Sequence, residues 1–499
     1  SFSIGIMTLI SFILFFLYTS SSVLLLLYGF NTYWMLYLFL RRRHTNQASD
    51  ASKETQFAQL AQDTPERLPI VTTQIPLYNE LNVAERVIRA VAAMDYPQDR
   101  HEIQVLDDSD DETCELVDAV AKDLRAQGHW IQVFRRNDRT GYKAGALEAG
   151  MQVCQGEYIA IFDSDFIPPS SFLMRSLSHL WADPQCGLVQ ARWDHVNRQQ
   201  SWLTRVQAMG IDGHFVVEQT ARNRNQLFMN FCGTAGVWRK TAIEDSGGWE
   251  HDTVTEDLDL SYRAQLRGWR FHYLPELRVP AELPPTYTAF KSQQYRWAKG
   301  TLQTARKLLP TVWRAPLPLF NKVQATVHLT RYALNILMAL IAVLVLPLML
   351  TMGDNGIWFY RSILFICLLI PAALGPSLSY MLCQYFDHPQ NWKTRVGCLP
   401  YLILVGFGIC LSNGKAVIDG FFSRDSTFVR TPKAGDRSRK TYLVKKDWLP
   451  RIELLLSAYC VLTILALLWM RQFILVPFVI IYALGFGLMG GKSLAERRA

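Results

Sequence analysis

Hydrophobic positions along the chain mark out two kinds of territory. Apolar residues run almost unbroken from Ile4 to Leu40, interrupted mainly by the polar patch Thr19 to Ser22, and stop at the basic cluster Arg41 to His44. A bilayer core takes about 20 helical residues, so this stretch predicts a retained anchor of one long or two short spans. It is too long for a signal-peptide core and lacks a small-residue cleavage site. Apolar runs return beyond Lys322, at Leu329 to Leu350, Trp358 to Leu374, Leu399 to Leu411, Leu454 to Trp469 and Phe473 to Met489. Between the two territories lie short β-branched runs (Ile70 to Ile75, Ile103 to Leu106, Ile131 to Phe134, Tyr158 to Phe162) alternating with helix-like stretches. That alternation predicts an α/β domain with a largely parallel sheet, in which ligands bind where strands end.

The pattern divides the 499 residues into an N-terminal transmembrane anchor (1–44), a polar linker (45–69), a cytosolic α/β domain (70–310) and an interfacial segment (311–327). Transmembrane and interface helices (328–418), a cytosolic loop (419–450), a transmembrane hairpin (451–491) and a cytosolic tail (492–499) follow. If the domain and the loop both face the cytoplasm, the chain must cross the membrane an even number of times between them. Of the three apolar runs there, Leu399 to Leu411 is assigned to the interface, because its continuation Asn413 to Arg424 is polar and basic. Composition agrees with this division, since half of the residues are hydrophobic. The formal charge of +8 gathers beside apolar runs, which fits the positive-inside rule and argues against nucleic acid as a partner. Nine cysteines without a CxxC pair indicate neither a zinc site nor a disulfide framework.

Three acidic groupings stand out in the α/β domain: Asp107 with Asp108, Asp163 with Asp165, and Glu256 with Asp257. The first two close apolar runs, where single carboxylates commonly serve as turn formers. Three groupings in one domain point to chemistry. The spacing of two in Asp163-Ser164-Asp165 places both side chains on one side of an extended backbone, suited to one hard divalent ion, Mg²⁺ or Mn²⁺, bridging to substrate phosphates. Asp257, ionised at neutral pH by its reference pKa of about 3.9, is a candidate general base for a sugar hydroxyl. One base and one in-line displacement invert the anomeric carbon. Thr255 to Asp257 also reads as a helix start, with a threonine cap and acids in the first turn. Gln293, Arg296 and Trp297 share one helical face. They offer an amide, a guanidinium for phosphate and an indole for a sugar ring.

In order, Asp107-Asp108, Asp163-Ser164-Asp165, Thr255-Glu256-Asp257 and Gln293 to Trp297 resemble the D, DxD, TED and QxxRW series of the processive family 2 glycosyltransferases, which include cellulose synthases and cellulose-synthase-like glucan and mannan synthases. The resemblance runs from about Pro76 to Lys433. It implies a GT-A-type (nucleotide-diphospho-sugar transferase) α/β domain inserted between transmembrane helices. Donor contacts would fall to Tyr78 on the nucleobase, to Asp107, Asp108 and Lys143, to Asp163 and Asp165 as metal ligands, and to Gln293 and Arg296. Catalysis would fall to Asp257 with Glu256, and acceptor contacts to Trp297, Cys232 and Gly233. Phe428 to Lys433 looks like the family's FxVTxK gating loop, with Phe428, Thr431 and Lys433 retained and Arg430 in place of a valine.

The resulting expectation is a processive inverting transferase in the plasma (inner) membrane, with its catalytic domain in the cytosol. It would polymerise a β-1,4-glucan from UDP-glucose and pass it through its own transmembrane channel. A polysaccharide is too polar to cross hydrocarbon unaided, and Asn335, Trp358, Tyr360 and Tyr380 are candidate channel residues. The alternatives are a mannan or glucomannan synthase using GDP-mannose, and a non-processive transferase onto a lipid phosphate. A transporter or receptor that merely senses nucleotides is the reading from a different class. Expected partners are the nucleotide sugar, the growing polysaccharide and the bilayer, with room for export or regulatory subunits.

Overall fold

A computed structural model describes residues 2–352, 357–423 and 448–497, apart from the side chains of 2–8, 352 and 357–369. The expected gating residues Phe428, Thr431 and Lys433, and the side chains of Trp358 and Tyr360, lie outside the described residues. Seven strands form one sheet: β1 Val71–Leu77, β2 His101–Asp107, β3 Trp130–Phe134, β4 Tyr158–Ile161, β5 Cys186–His195, β6 Gly236–Arg239 and β7 Arg270–Ala281. Their order is β3-β2-β1-β4-β6-β5-β7. β6 runs antiparallel to both β4 and β5, and the remaining pairings are parallel. The expected GT-A-type α/β domain is thus present, with one reversed strand. β1 and β2 are buried along nearly their whole length, as strands covered by helices on both faces must be. Chain order reverses between β1 and β4, and the crevice beyond the carboxyl ends of strands at such a point is where open α/β sheets hold ligands.

The apolar N-terminal stretch folds into one continuous helix, Phe2–Arg42. The serine patch does not break it, because the buried Ser22 hydroxyl donates to the Tyr18 carbonyl one turn back (2.9 Å). At its end the basic cluster docks on protein: Arg42 donates to the Arg224 carbonyl (3.1 Å), and the Arg43 guanidinium lies 3.9 Å from the Phe386 ring centre. The stretch expected as a polar linker is mostly the helix Gln47–Asp63, which sinks Phe57 into the core of the α/β domain. On that helix Asp50 meets the stacked rings of His179 and His272, 4.3 Å apart and 19° from parallel. Nearly parallel, offset rings cannot aim their in-plane lone pairs at one ion, and Arg224 (3.4 Å from Asp50) already supplies positive charge. This cluster is therefore a docking contact.

Four helical segments are long and apolar enough to cross a membrane: Leu9–Arg42, Leu319–Thr351, Leu449–Trp469 and Val476–Ala495. A further pair, Trp392–Gly408 and Cys410–Phe422, is bent by 44° at its break. Its second limb returns to the α/β domain and packs on the long helix Tyr287–Arg314. Asp419 there accepts hydrogen bonds from the Tyr295 hydroxyl and from Lys415 (2.6 Å). Gly420 lies so close that a methyl group would come within 2.5 Å of the Lys299 carbonyl. This bend is the geometry that the parity argument asks of the Leu399 to Leu411 run.

Buried ion pairs tie the domain to the apolar helices. Arg192 at the end of β5 grips Asp387, the last residue of the helix Ile357–Asp387, with two hydrogen bonds of 2.7 and 2.5 Å. Asp212 accepts from Arg198 (2.5 Å) and from Gln384 of that same helix (3.1 Å). Lys291 pairs with Glu453 at the start of Leu449–Trp469 (2.7 Å). Removing one partner of such a pair strands the other charge in the interior, at a cost of about 3–5 kcal/mol. Asp387→Ala is therefore expected to lower the melting temperature of the detergent-purified protein by several degrees, and an unchanged melting curve would show that the Arg192 pair contributes nothing to domain docking.

Candidate active site

Each element delivers one part of the site to the switch point between β1 and β4. β2 ends in the two adjacent aspartates, and their side chains part company. The Asp107 carboxylate is buried away from the cleft, accepting from the Ser109 amide (3.1 Å) and from Arg135 (2.9–3.0 Å). Asp108 lines the cleft and is gripped by Arg136 at 3.0 and 2.5 Å. Asp107, expected as a donor contact, is thus placed as a strut for the strand end.

Tyr78 follows β1 directly, with the Arg139 guanidinium 3.2 Å above its ring and Tyr142 on the other side of that cation. Asn79 and Tyr142 hold positive φ angles of 54° and 50°, backbone strain of a kind that clusters at ligand sites.

β4 leads into Asp163-Ser164-Asp165. The segment is a turn closed by the Phe166 amide on the Asp163 carbonyl (3.1 Å), not the extended backbone that the spacing suggested. Both carboxylates nevertheless line the cleft. Asp163 accepts from Lys143 (2.5 Å), whose ammonium also donates to the Gly233 carbonyl (2.8 Å).

Glu256 and Asp257 open the helix Glu256–Leu266, so the helix-start reading and the site reading both hold, although the Thr255 side chain makes no cap. Asp257 accepts from the Leu258 amide (2.8 Å). Burial, reinforced by the neighbouring Glu256 carboxylate, pushes its pKa up to about 7 despite the opposing pull of Lys143. The expectation of a wholly ionised aspartate is corrected accordingly. Glu256 is likewise raised by burial. Gly233, at φ +79°, passes so close that a methyl group there would sit 3.0 Å from Asp257 Oδ2 and 3.4 Å from Lys143 Nζ. Only glycine combines that dihedral with that approach.

The helix Tyr287–Arg314 closes the cleft with Gln293, Arg296 and Trp297. Gly300 lets it press against Thr255, 2.5 Å from where a methyl group would stand. Burial disfavours the Arg296 charge, while the four carboxylates of Asp163, Glu256, Asp257 and Asp165 sustain it. Cys232 reaches the wall of the cleft, its sulfur within 3.8 Å of His214 Nε2. Burial and the nearby Asp257 push its thiol pKa up, so it is protonated.

One cleft therefore gathers Tyr78, Asp108, Lys143, Asp163, Asp165, Cys232, Gly233, Glu256, Asp257, Gln293, Arg296 and Trp297. Sequence reasoning passed over Arg139, Tyr142, Trp193, His195 and Glu282, which also line it. Arg139 had a signal, standing four residues before Lys143 in the same basic, glycine-containing segment, whereas Trp193 sits in a strand the hydrophobic pattern did not show. Asp163 and Asp165 supply the hard oxygen donors that suit a divalent cation.

A family model described as glycosyltransferase like family 2 matches residues 69–300. Glucomannan 4-beta-mannosyltransferase 7 of Arabidopsis thaliana is 35% identical over 414 residues, which is 78% of this chain and 70% of that protein. Probable glucomannan 4-beta-mannosyltransferase 7 of Oryza sativa subsp. japonica is 48% identical over 244 residues, 48% of this chain and 42% of that protein. Several of the curated relatives are matched over only about half of their length. A solved structure, the mannosyltransferase PcManGT from Pyrobaculum calidifontis in complex with GDP-Man and Mn2+, aligns with a TM-score of 0.47 at 18% identity, covering 78% of this chain and all of that one.

A buried carboxyl raised to about 7 keeps its proton in mildly acidic solution. Infrared difference spectra between the protein and its Asp257→Asn variant are expected to show a protonated carboxyl band at pH 5 that fades as the pH rises through about 7. A carboxylate already ionised at pH 5 would contradict this electrostatic reading.

Proposed function

The chain belongs to glycosyltransferase family 2, and from that membership we propose that it transfers mannosyl units from GDP-mannose to the end of a growing β-1,4-linked glycan. The observation that carries this reading is the single cleft in which Asp163, Asp165, Asp257, Arg296 and Trp297 converge. The printed activities of the curated relatives, glucomannan 4-beta-mannosyltransferases, turn the donor from the glucose first expected to mannose.

Tyr78 stacks on the nucleobase and Asp108 lies beside it, its carboxylate fixed by Arg136. Lys143 and Arg296 set positive charge against the diphosphate. Asp163 and Asp165 fit a divalent ion, because four carboxylates face two cations at this end of the cleft and the donors are hard oxygens. When bound, such an ion supplies charge neutralisation for the departing diphosphate. Asp257 takes the proton of the acceptor hydroxyl as that oxygen attacks, and a single displacement inverts the anomeric centre. Burial keeps water and its dielectric screening out of this step, which strengthens each charge inside.

Export of the product through the helices that flank the domain, in the plasma membrane with the cleft on the cytosolic side, is part of the same proposal. The length and apolarity of the four candidate spans support it, as do the buried pairs that fix the domain beneath them. A polar product needs an enclosed path across hydrocarbon.

Proteoliposomes incubated with a panel of labelled nucleotide sugars are expected to incorporate mannose from GDP-mannose into a polymer cut by β-1,4-mannanase. Asp257→Asn should lower that incorporation by roughly 10³-fold with the protein still inserted. Exclusive use of UDP-glucose would restore the glucan reading, and a lipid carrying one sugar would establish the non-processive one. Full activity of the Asp257→Asn protein would overturn the transferase assignment of the cleft.

A further inference from the structure

β5 and β7 fall out of step in mid-strand. Ala191 pairs with Leu274, but the next residue, Arg192, pairs with Arg278, so β7 carries three extra residues at that point. Irregularities of this kind bend a strand and re-aim the side chains beyond them, often beside active sites. The first residue after Arg192 is Trp193, which lines the cleft. Its indole is wedged by Phe166, one residue past Asp165, and by Phe215, with ring centres 5.2 Å away in each case. On the cleft side it stands 6.5 Å from Trp297, the planes inclined at 52°.

Packed rings fix the direction of the Trp193 indole, and its Nε1 is a donor with no acceptor function. Among the described residues that N–H is buried and meets no hydrogen-bond partner. Leaving a buried donor unpaired is costly, and the residue could have been phenylalanine if packing alone were needed. The wall is far along the sheet from the nucleobase end, which Tyr78 and Asp108 build beyond β1 and β2, since β5 lies on the opposite side of the switch point. An oxygen that arrives in the cleft with the acceptor satisfies the orphan donor.

We propose that Trp193 is an acceptor-positioning residue: its indole N–H donates to a hydroxyl of the terminal sugar of the growing glycan, while Trp297 stacks on that sugar's apolar face. Two aromatic planes inclined to one another define both a surface and a direction, so the sugar is held against sliding and against rotation about its stacking axis. The inference rests on the reading of this cleft as a glycan-elongating site.

The test uses the full chain in proteoliposomes, with β-1,4-linked manno-oligosaccharides as acceptors. Trp193→Phe keeps the packing ring and removes the N–H. It is expected to raise the acceptor KM about five- to tenfold, the loss of one hydrogen bond, while GDP binding measured by calorimetry stays within about twofold. A set of monodeoxy acceptors locates the partner: one of them should lose as much with the native protein as Trp193→Phe loses with the intact acceptor, and the two losses should not add. GDP binding also reports whether the variant is folded, and Trp193→His, which restores a ring N–H, provides a second variant with an intermediate acceptor KM. An unchanged acceptor KM in a Trp193→Phe protein that binds GDP overturns the proposal, as do penalties that simply add for every deoxy acceptor. If the native protein elongates no acceptor from any nucleotide sugar, the reading of the cleft fails instead.

Discussion

Carboxylates crowded into a buried cleft repel one another, and the catalytic half of this chain is organised around holding them together. Asp163 and Asp165 arrive from the end of β4, and Glu256 and Asp257 from the first turn of a helix on the other side of the sheet. Lys143 and Arg296 are the cations set among them. Like charges in a poorly solvated site are relieved by a proton or by a counter-ion, and both forms of relief are visible. Asp257 is pushed up to about 7, and Lys143 is drawn onto Asp163 at 2.5 Å. The same tension makes the cleft receptive to a divalent cation, because an added positive charge releases Lys143 from Asp163 for other anions.

Charge also fixes how the domain meets the apolar helices. Hydrophobic contact alone allows sliding, since it is non-directional and scales with area. The bidentate grip of Arg192 on Asp387, with Arg278 adding a third hydrogen bond at 2.8 Å, permits one register only. Arg192 immediately precedes Trp193 in β5, so the residue that docks the sheet on the Ile357–Asp387 helix adjoins the residue that lines the cleft. Lys291 makes the equivalent link two residues before Gln293, on the helix that carries Arg296 and Trp297. A shift of either apolar helix is thereby felt at the wall of the cleft within one or two residues of chain.

How much of this could be read from the sequence depended on where each side chain finds its partner. β1 to β4 were legible as apolar runs closed by acids, because their surroundings are apolar on both faces. β5 and β7 were not, because Gln190, Arg192, His272 and Arg278 break the pattern. Their partners lie far away in sequence: Gln190 donates to the Thr234 and Ala235 carbonyls, and Arg192 and Arg278 meet Asp387. Local reading had no means of knowing that these polar residues would be satisfied in the interior. The adjacent Asp107 and Asp108 show the same limit. Alternation along a strand predicts that they point to opposite sides, but the choice of side falls to Arg135 and Arg136 beyond β3. The helix Gln47–Asp63 was missed because its apolar face is narrow, with Phe57 as its one large buried residue.

The state of Cys232 bears on which displacement the cleft supports. Its sulfur lies on the wall beside Gly233 and Asp257, a position from which a thiolate nucleophile would reach an anomeric carbon. A thiolate there would have to form in a buried setting and next to carboxylates, and both influences push the thiol pKa up. Low-pKa cysteines occupy the opposite environment, open and positively charged. The thiol is therefore a neutral, polarisable piece of wall and no covalent relay through it is available. Asp257, by contrast, sits at a pKa near 7, where a carboxylate is basic enough to take a proton from an attacking hydroxyl and still substantially ionised at neutral pH. The electrostatics thus favour one direct displacement over two sequential ones. For the proposed reaction, that makes inversion, and with it a β-linked product from an α-linked donor, a property of how these two neighbours share one buried field.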